Sequence, residues 1–299
     1  MEALPVGTPP SRMALGERKH YLLLDGIKLE PLEQWLYQHL DAPLYEPIYL
    51  HTPLAECRQI SPCLVALEPG SPVWEAFLER GILEGWGWLF TTEASLEEAA
   101  EHLRWLLFVE HPLEGERILR TASPEVMRCL FEAELQPHRS QLLGVMEELW
   151  LPTVENSVVT WWHVAQAHHD EPLTRTARFS LQQAHLDSLS RIAWQRFAQE
   201  LAHHLDTYFA TGPLIRECGT AAQAAKQVID TTRELGFFGR RAHYYMANIL
   251  GAHGHVALDE QRMPDLARPL SQADGRPPME RLKAVAAEAR RLSSREIQA

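Results

Sequence analysis

Tyr21-Leu22-Leu23-Leu24-Asp25-Gly26 is a short apolar run closed by a turn pair. Such a run ending in Asp-Gly predicts a buried strand that leaves directly into a turn. Beyond it, Leu32, Trp35, Leu36 and Leu40 recur at helical spacing behind Pro31, a residue suited to a first helical turn. Ile48-Tyr49-Leu50 and Cys63-Leu64-Val65-Ala66-Leu67 predict two more strands, each bounded by proline. Residues 73–78 predict a short helix and Trp86-Gly87-Trp88-Leu89-Phe90 another strand. Ser95 with Glu98 three residues later is a capping box, opening a helix through Leu96, Ala99, Leu103 and Leu106. Ser123-Pro124 places a cap before a proline, and Val126, Met127, Leu130 and Phe131 follow at helical spacing.

Strands interleaved with helices up to about Trp150 read as a mixed α/β lobe. Val158-Val159-Thr160-Trp161-Trp162 predicts a further strand, with residues 173–179 as its partner and His168-His169-Asp170-Glu171-Pro172 between them. From Ser180 the periodicity is helical. Ser180 and Gln183 form a second capping box, and Leu186, Leu189, Ala193, Phe197, Leu201, Leu205 and Tyr208 make one stripe. Thr220 with Gln223 opens the next helix and Gly236 is placed to close it. Residues 244–250 and 279–292 predict two more. The expected organisation is therefore a disordered tail over residues 1–19, an α/β domain over 20–178 and an all-α helical lobe over 179–299.

Hydrophobic residues make up 45% of the 299 and charged residues 23%, a globular balance with ample material for a core. Residues 1–150 carry 11 Lys and Arg against 24 Asp and Glu, a net of −13, whereas residues 151–299 are near neutral at +1. An acidic front half disfavours nucleic acid, whose phosphates need a concentrated basic surface. It suits a basic protein segment better. The four cysteines show no C-x-x-C spacing and read as reduced thiols. Residues 1–19 contain no apolar signal-peptide core, and no run reaches the ~18–20 apolar residues of a membrane span. A soluble cytoplasmic protein with no membrane contact is expected.

Sites of chemistry are weakly signalled. His168-His169 and His203-His204 are adjacent pairs, and neighbouring residues on a helix face different sides. His253-Gly254-His255 lacks a further ligand nearby, so no metal and no cofactor are expected. Gly85-Trp86-Gly87 begins like a phosphate-binding loop, but Phe90 stands where the third glycine belongs. Phosphate-loop, zinc-protease and nucleophile-elbow motifs are absent, and no catalytic residue is assigned. Trp161-Trp162 differs from the other tryptophans, because consecutive strand residues point to opposite faces and one is left as a candidate interface anchor.

The order of these motifs resembles a known family. Tyr21 to Gly26 looks like its opening strand. Leu44-Tyr45-Glu46-Pro47-Ile48-Tyr49 and Ser61 to Leu67 are similar to its second and third strands. Trp86 to Phe90 and Ser95-Leu96-Glu97-Glu98 with His102-Leu103-Arg104 resemble its next strand and a helix ending in a His-Leu-Arg signature, and Leu143-Gly144-Val145-Met146 with Trp150 its closing segment. The family is that of the VgrG-linked (Tap/TEC-type) effector chaperones and adaptors of the type VI secretion system. The resemblance covers about residues 20–150, and the helical back third looks like the lobe that commonly follows. One segment departs: the family's Arg-Phe-Tyr-Asp-Pro-Arg-like stretch reads Arg120-Thr121-Ala122-Ser123-Pro124-Glu125.

The resemblance implies a binding function without chemistry, its partners the N-terminal region of a cognate effector and the VgrG spike, with cargo gripped between two lobes. Arg104, Arg120, Trp161 and Trp162 are the candidate partner-binding residues, although for each arginine an internal salt bridge with the many front-half carboxylates is the favoured reading. Two other readings stay open. One is a hydrolase with Asp25 at a strand end, where ligands of α/β sheets often bind. The other is an acidic immunity protein.

Overall fold

The computed structural model describes residues 18–133, 138–155, 158–165 and 177–296. Most of the expected tail (1–17) and the 166–176 segment, with His168, His169 and Leu173, lie outside the described residues. The chain forms two compact units that divide between Ile192 and Ala193.

The first unit runs β1 (Lys19–Leu24), α1 (Leu32–His39), β2 (Tyr45–Pro47), β3 (Cys63–Leu67), α2 (Pro72–Ala76), α3 (Ile82–Glu84), β4 (Gly87–Thr92), α4 (Leu96–Leu107), β5 (Phe108–His111), β6 (Gly115–Ile118), α5 (Pro124–Ala133), α6 (His138–Leu143), β7 (Glu148–Glu155) and β8 (Val158–Ala165). Six strands make one sheet in the order β2-β3-β1-β4-β7-β8, every neighbouring pair antiparallel. β5 and β6 form a separate hairpin. The expected fold class, a mixed α/β lobe followed by a helical one, is the fold observed.

Strand alternation splits the opening run between two cores. Tyr21 and Leu23 face one side with Leu64, Trp88, Phe90 and Leu149, covered by Leu103 and Leu106 of α4, Met127 and Leu130 of α5 and Leu142 of α6. Leu22 and Leu24 face the other with Cys63, Val65 and Leu89, covered by Leu32 and Leu36 of α1 and Val73 and Trp74 of α2. All four residues from Tyr21 to Leu24 are buried, which is why the strand reads as continuous apolar sequence rather than as an alternation.

Several expectations shift in detail. The second strand is Tyr45–Pro47 rather than residues 48–50. The chain leaves the sheet there: the Ile48 N–H bonds to the Pro62 carbonyl, while the Pro47 and Ile48 carbonyls are taken by Arg104. β8 pairs along all eight residues with β7, and residues 173–176 of its predicted partner lie outside the described residues. Of that predicted partner, Phe179 lies beside β5, its carbonyl accepting from the Glu110 N–H. The Ser95–Glu98 capping box is formed as expected, and Thr220 caps its helix by accepting from the Gln223 N–H. Ser180 does not cap: it bridges Glu110, and α7 (Gln183–Phe209) starts three residues later, with the Gln182 N–H bonded to His185 Nδ1.

Leu186 and Leu189 at the start of α7 pack on the first unit's core, so that unit extends past the 178/179 boundary read from the sequence. The second unit holds the rest of α7 with α8 (Pro213–Cys218), α9 (Ala221–Glu234), α10 (Arg240–His253), α11 (Pro264–Ser271) and α12 (Pro278–Glu296). Its core is built on Phe197, Leu201, Leu205, Val228, Met246, Leu250 and Leu282. Tyr208, placed on the apolar stripe by its spacing, is instead 70% exposed near the end of α7. Among the described residues no helix is long and apolar enough to cross a membrane.

Gly87 stands opposite Leu24 at the start of β4, tight against β1. A Cβ there would collide with the Leu23 carbonyl oxygen, a backbone atom that cannot step aside without moving the central strand. Gly87→Ala is therefore expected to cost about 3 kcal/mol of the first unit's stability, read as a lowered urea midpoint.

Candidate partner-binding site

Arg104 lies on the buried face of α4 and is 7% exposed. Its Nη2 donates to Glu46 Oε1 at 3.0 Å and to the Pro47 carbonyl at 3.2 Å. Its Nε reaches the Ile48 carbonyl at 3.3 Å and its Nη1 donates to Glu101 Oε1 at 2.7 Å. A buried guanidinium is tolerable only with partners of this kind, two carboxylates for its charge and two carbonyls for the remaining N–H groups. Arg104 thereby staples the β2 edge to α4, and its charge is met within the unit.

The two motifs flanking it meet as well. His102 is fully buried with Nε2 3.0 Å from the Leu142 carbonyl. Gly144, at φ +58°, lies so close that a Cβ would run into the His102 ring. The His-Leu-Arg signature and the Leu-Gly-Val-Met segment are thus two halves of one packing arrangement.

Arg120 donates through Nε and Nη2 to Asp25 Oδ2, at 3.0 and 2.7 Å. Asp25 Oδ1 accepts from the Ile27 N–H at 2.9 Å. The end of β1 is in this way tied to the loop entering α5, which is also held by the Trp88 indole donating to the Thr121 carbonyl at 2.8 Å. Asp25 is 3% exposed and both carboxylate oxygens are occupied, so it is not placed as a free general base. Nearby, burial and then the Asp25 charge push the Tyr49 phenol up, keeping it protonated. Arg120 differs from Arg104 in that 39% of its side chain meets solvent. The departing segment that it opens is interior: Thr121, Ala122, Ser123 and Pro124 are all buried, so its smaller residues are accommodated within the core.

Trp161 and Trp162 sit on β8 and face opposite ways as expected, Trp161 toward the core beneath α1 and Trp162 toward the core beneath α4. Both are half-buried. The Trp162 indole donates to Thr153 Oγ1 at 2.8 Å, and the Arg128 guanidinium lies 5.1 Å from its ring centre while pairing with Glu132. His163 stacks on Trp150 and its Nε2 lies 3.1 Å from Glu148. The structure therefore gathers the two tryptophans on one sheet edge and leaves Arg104 and Arg120 in separate internal ion pairs.

The remaining candidates fall apart chemically. His253 Nε2 contacts the Ala289 carbonyl, while His255 Nδ1 pairs with Glu217 at 2.6 Å, so the two histidines do not converge. Among the described residues no group of three or more His, Cys, Asp or Glu is placed to hold a metal ion. All four cysteines are free, and burial pushes the Cys63 and Cys129 thiols up and away from reactivity. A groove of about 430 Å³ beside α1, lined by Leu32, Glu33, Arg58 and Gln59, was not signalled by the sequence. There a hydrogen bond from Arg58 holds the Glu33 carboxyl below the usual carboxylate range.

Removing Arg120 leaves a buried carboxylate without its cation. Breaking a fully buried pair costs about 3–5 kcal/mol. Because Arg120 is 39% exposed, water reaches its side of the pair and the expected loss for Arg120→Ala is nearer 2 kcal/mol. Asp25→Asn in the same background is expected to recover most of it. A double-mutant cycle in urea checks both values.

Residues 20–141 match the family described as "Domain of unknown function (DUF4123)". The chain is 28% identical to the accessory protein VasW of Vibrio cholerae serotype O1 over 292 residues, 97% of this chain and 94% of that protein. No solved structure matches it significantly. The domain match over residues 20–141 and the end-to-end similarity to an accessory protein support the type VI secretion effector-adaptor resemblance carried by the order of motifs.

Proposed function

We propose that the chain is a cytoplasmic, non-catalytic chaperone and adaptor that binds the N-terminal region of a cognate type VI effector and loads it onto the VgrG spike. The observation that carries this reading is the similarity to an accessory protein across nearly all of both chains, spanning both compact units. A match confined to residues 20–141 would speak for a shared domain alone. The physical requirement is ordinary: an effector segment with contiguous apolar surface aggregates unless something covers it.

Charge supports the choice of partner. Residues 1–192 carry 14 Lys and Arg against 28 Asp and Glu, a net of −14, and residues 193–299 a net of +2. The first unit therefore attracts basic protein segments and repels nucleic acid. The engagement of Asp25 by Arg120 and the Ile27 N–H gives that acid a structural role and weighs against the hydrolase reading.

Co-expression of the chain with the effector encoded beside its gene, followed by size-exclusion chromatography with mass determination, tests the proposal. The expected result is one co-eluting complex that is lost when the N-terminal region of the effector is deleted. A complex that survives that deletion and requires the toxic domain would identify an immunity protein instead. Separate elution of two folded proteins would remove that cargo.

A further inference from the structure

The two edges of the six-stranded sheet are built differently. The β2 edge is three residues long, contains Pro47, and has its Pro47 and neighbouring Ile48 carbonyls occupied by Arg104. Short length, proline and a charged side chain on the edge are the devices that keep an open strand from pairing with another chain. The β8 edge has none of them. It is eight residues long, contains neither proline nor lysine, and pairs with β7 without a bulge from Glu148↔Ala165 to Glu155↔Val158. Among the described residues no strand pairs with its other side.

Its side chains are unfinished in the same sense. Val158 is 63% and Val159 37% exposed, and Trp161 and Trp162 are half-buried on opposite faces. In the middle of a sheet, side chains of a neighbouring strand would cover such residues from about 5 Å away. The nearby cations are already neutralised, Arg128 by Glu132 and Arg18 by Glu147 and Glu148, within a unit of net charge −14.

We infer that β8 is a docking edge on which an extended, net-basic segment of the cargo protein adds as a seventh strand. Backbone N–H and C=O groups of β8 supply the affinity, and apolar side chains at alternate positions of the incoming strand pack beside Trp161 on one face and Trp162 on the other. Charge selects this occupant over a second copy of the chain, because pairing two β8 edges would bring together two units of net charge −14 each. The inference rests on the adaptor reading above and names the surface and strand chemistry that reading leaves open.

Hydrogen exchange of residues 158–165 is measured on the full chain, alone and in the co-expressed effector complex, together with the affinities of two double variants. V158K/V159K and V158E/V159E change exposed side chains and are checked for parental circular dichroism. The expected result is slowed exchange of β8 in the complex, at least tenfold weaker binding by the lysine variant, and binding by the glutamate variant within threefold of the parent. A complex with unchanged β8 exchange and parental affinity of both variants overturns the inference and leaves the adaptor reading standing. Equal loss in both variants overturns the basic occupant. Full protection of β8 in the free chain also overturns it, as a dimer in favour of self-pairing and as a monomer in favour of cover from the same chain. Failure of the parent to bind the effector removes the adaptor reading for that cargo and this inference with it.

Discussion

The first unit depends on one constraint: its central strand is apolar on both faces. Leu22 and Leu24 cannot be buried by the helices that bury Tyr21 and Leu23, because successive strand residues point to opposite sides of the sheet. Two layers of helix are therefore required, α1 and α2 on one face and α4, α5 and α6 on the other. The register is equally constrained, since a slip of one residue would exchange the two sets. Leu22 stands opposite Val65 on one neighbour and Leu89 on the other, and Gly87 gives β4 the clearance to approach.

Buried charge finishes what apolar packing begins. Arg104 is enclosed because Glu46, Glu101 and two carbonyls surround it, and its reward is a fixed β2 edge. Asp25 and Arg120 fasten the turn after β1 to the entry of α5. Such pairs are costly to break and add little net stability over apolar replacements, so their value lies in specifying one arrangement. This explains why residues that draw attention in the sequence as family signatures prove to be internal fasteners. The proposed docking surface is instead formed by residues with weaker signatures, those of the β8 strand.

Much of the architecture was legible beforehand for reasons visible in particular residues. Ser95 with Glu98 and Thr220 with Gln223 announce helix starts through side chain–backbone bonds that span only three residues. The Cys63–Leu67 strand is a bounded apolar run. Where the reading slipped, a distant group had intervened. Ile48 leaves the sheet because Arg104, 56 residues later, competes for its carbonyl. Ser180 gives up a capping position to bridge Glu110. The candidate site was legible only in part: the opposed faces of Trp161 and Trp162 follow from strand geometry, whereas the internal use of Arg104 follows from burial.

Local chemistry, then, was the sequence's own province. Helix caps, apolar periodicity, the acidic first half and the order of family motifs each involve residues close in the chain or a simple count, and they carry the fold class and the family resemblance. Which strand pairs with which, where Arg104 and Arg120 spend their charge, and that β8 has one unpaired side among the described residues were decided by tertiary structure. Those outcomes turn on competition among groups 50 to 100 residues apart for the same few buried donors and acceptors, and no local pattern encodes the winner.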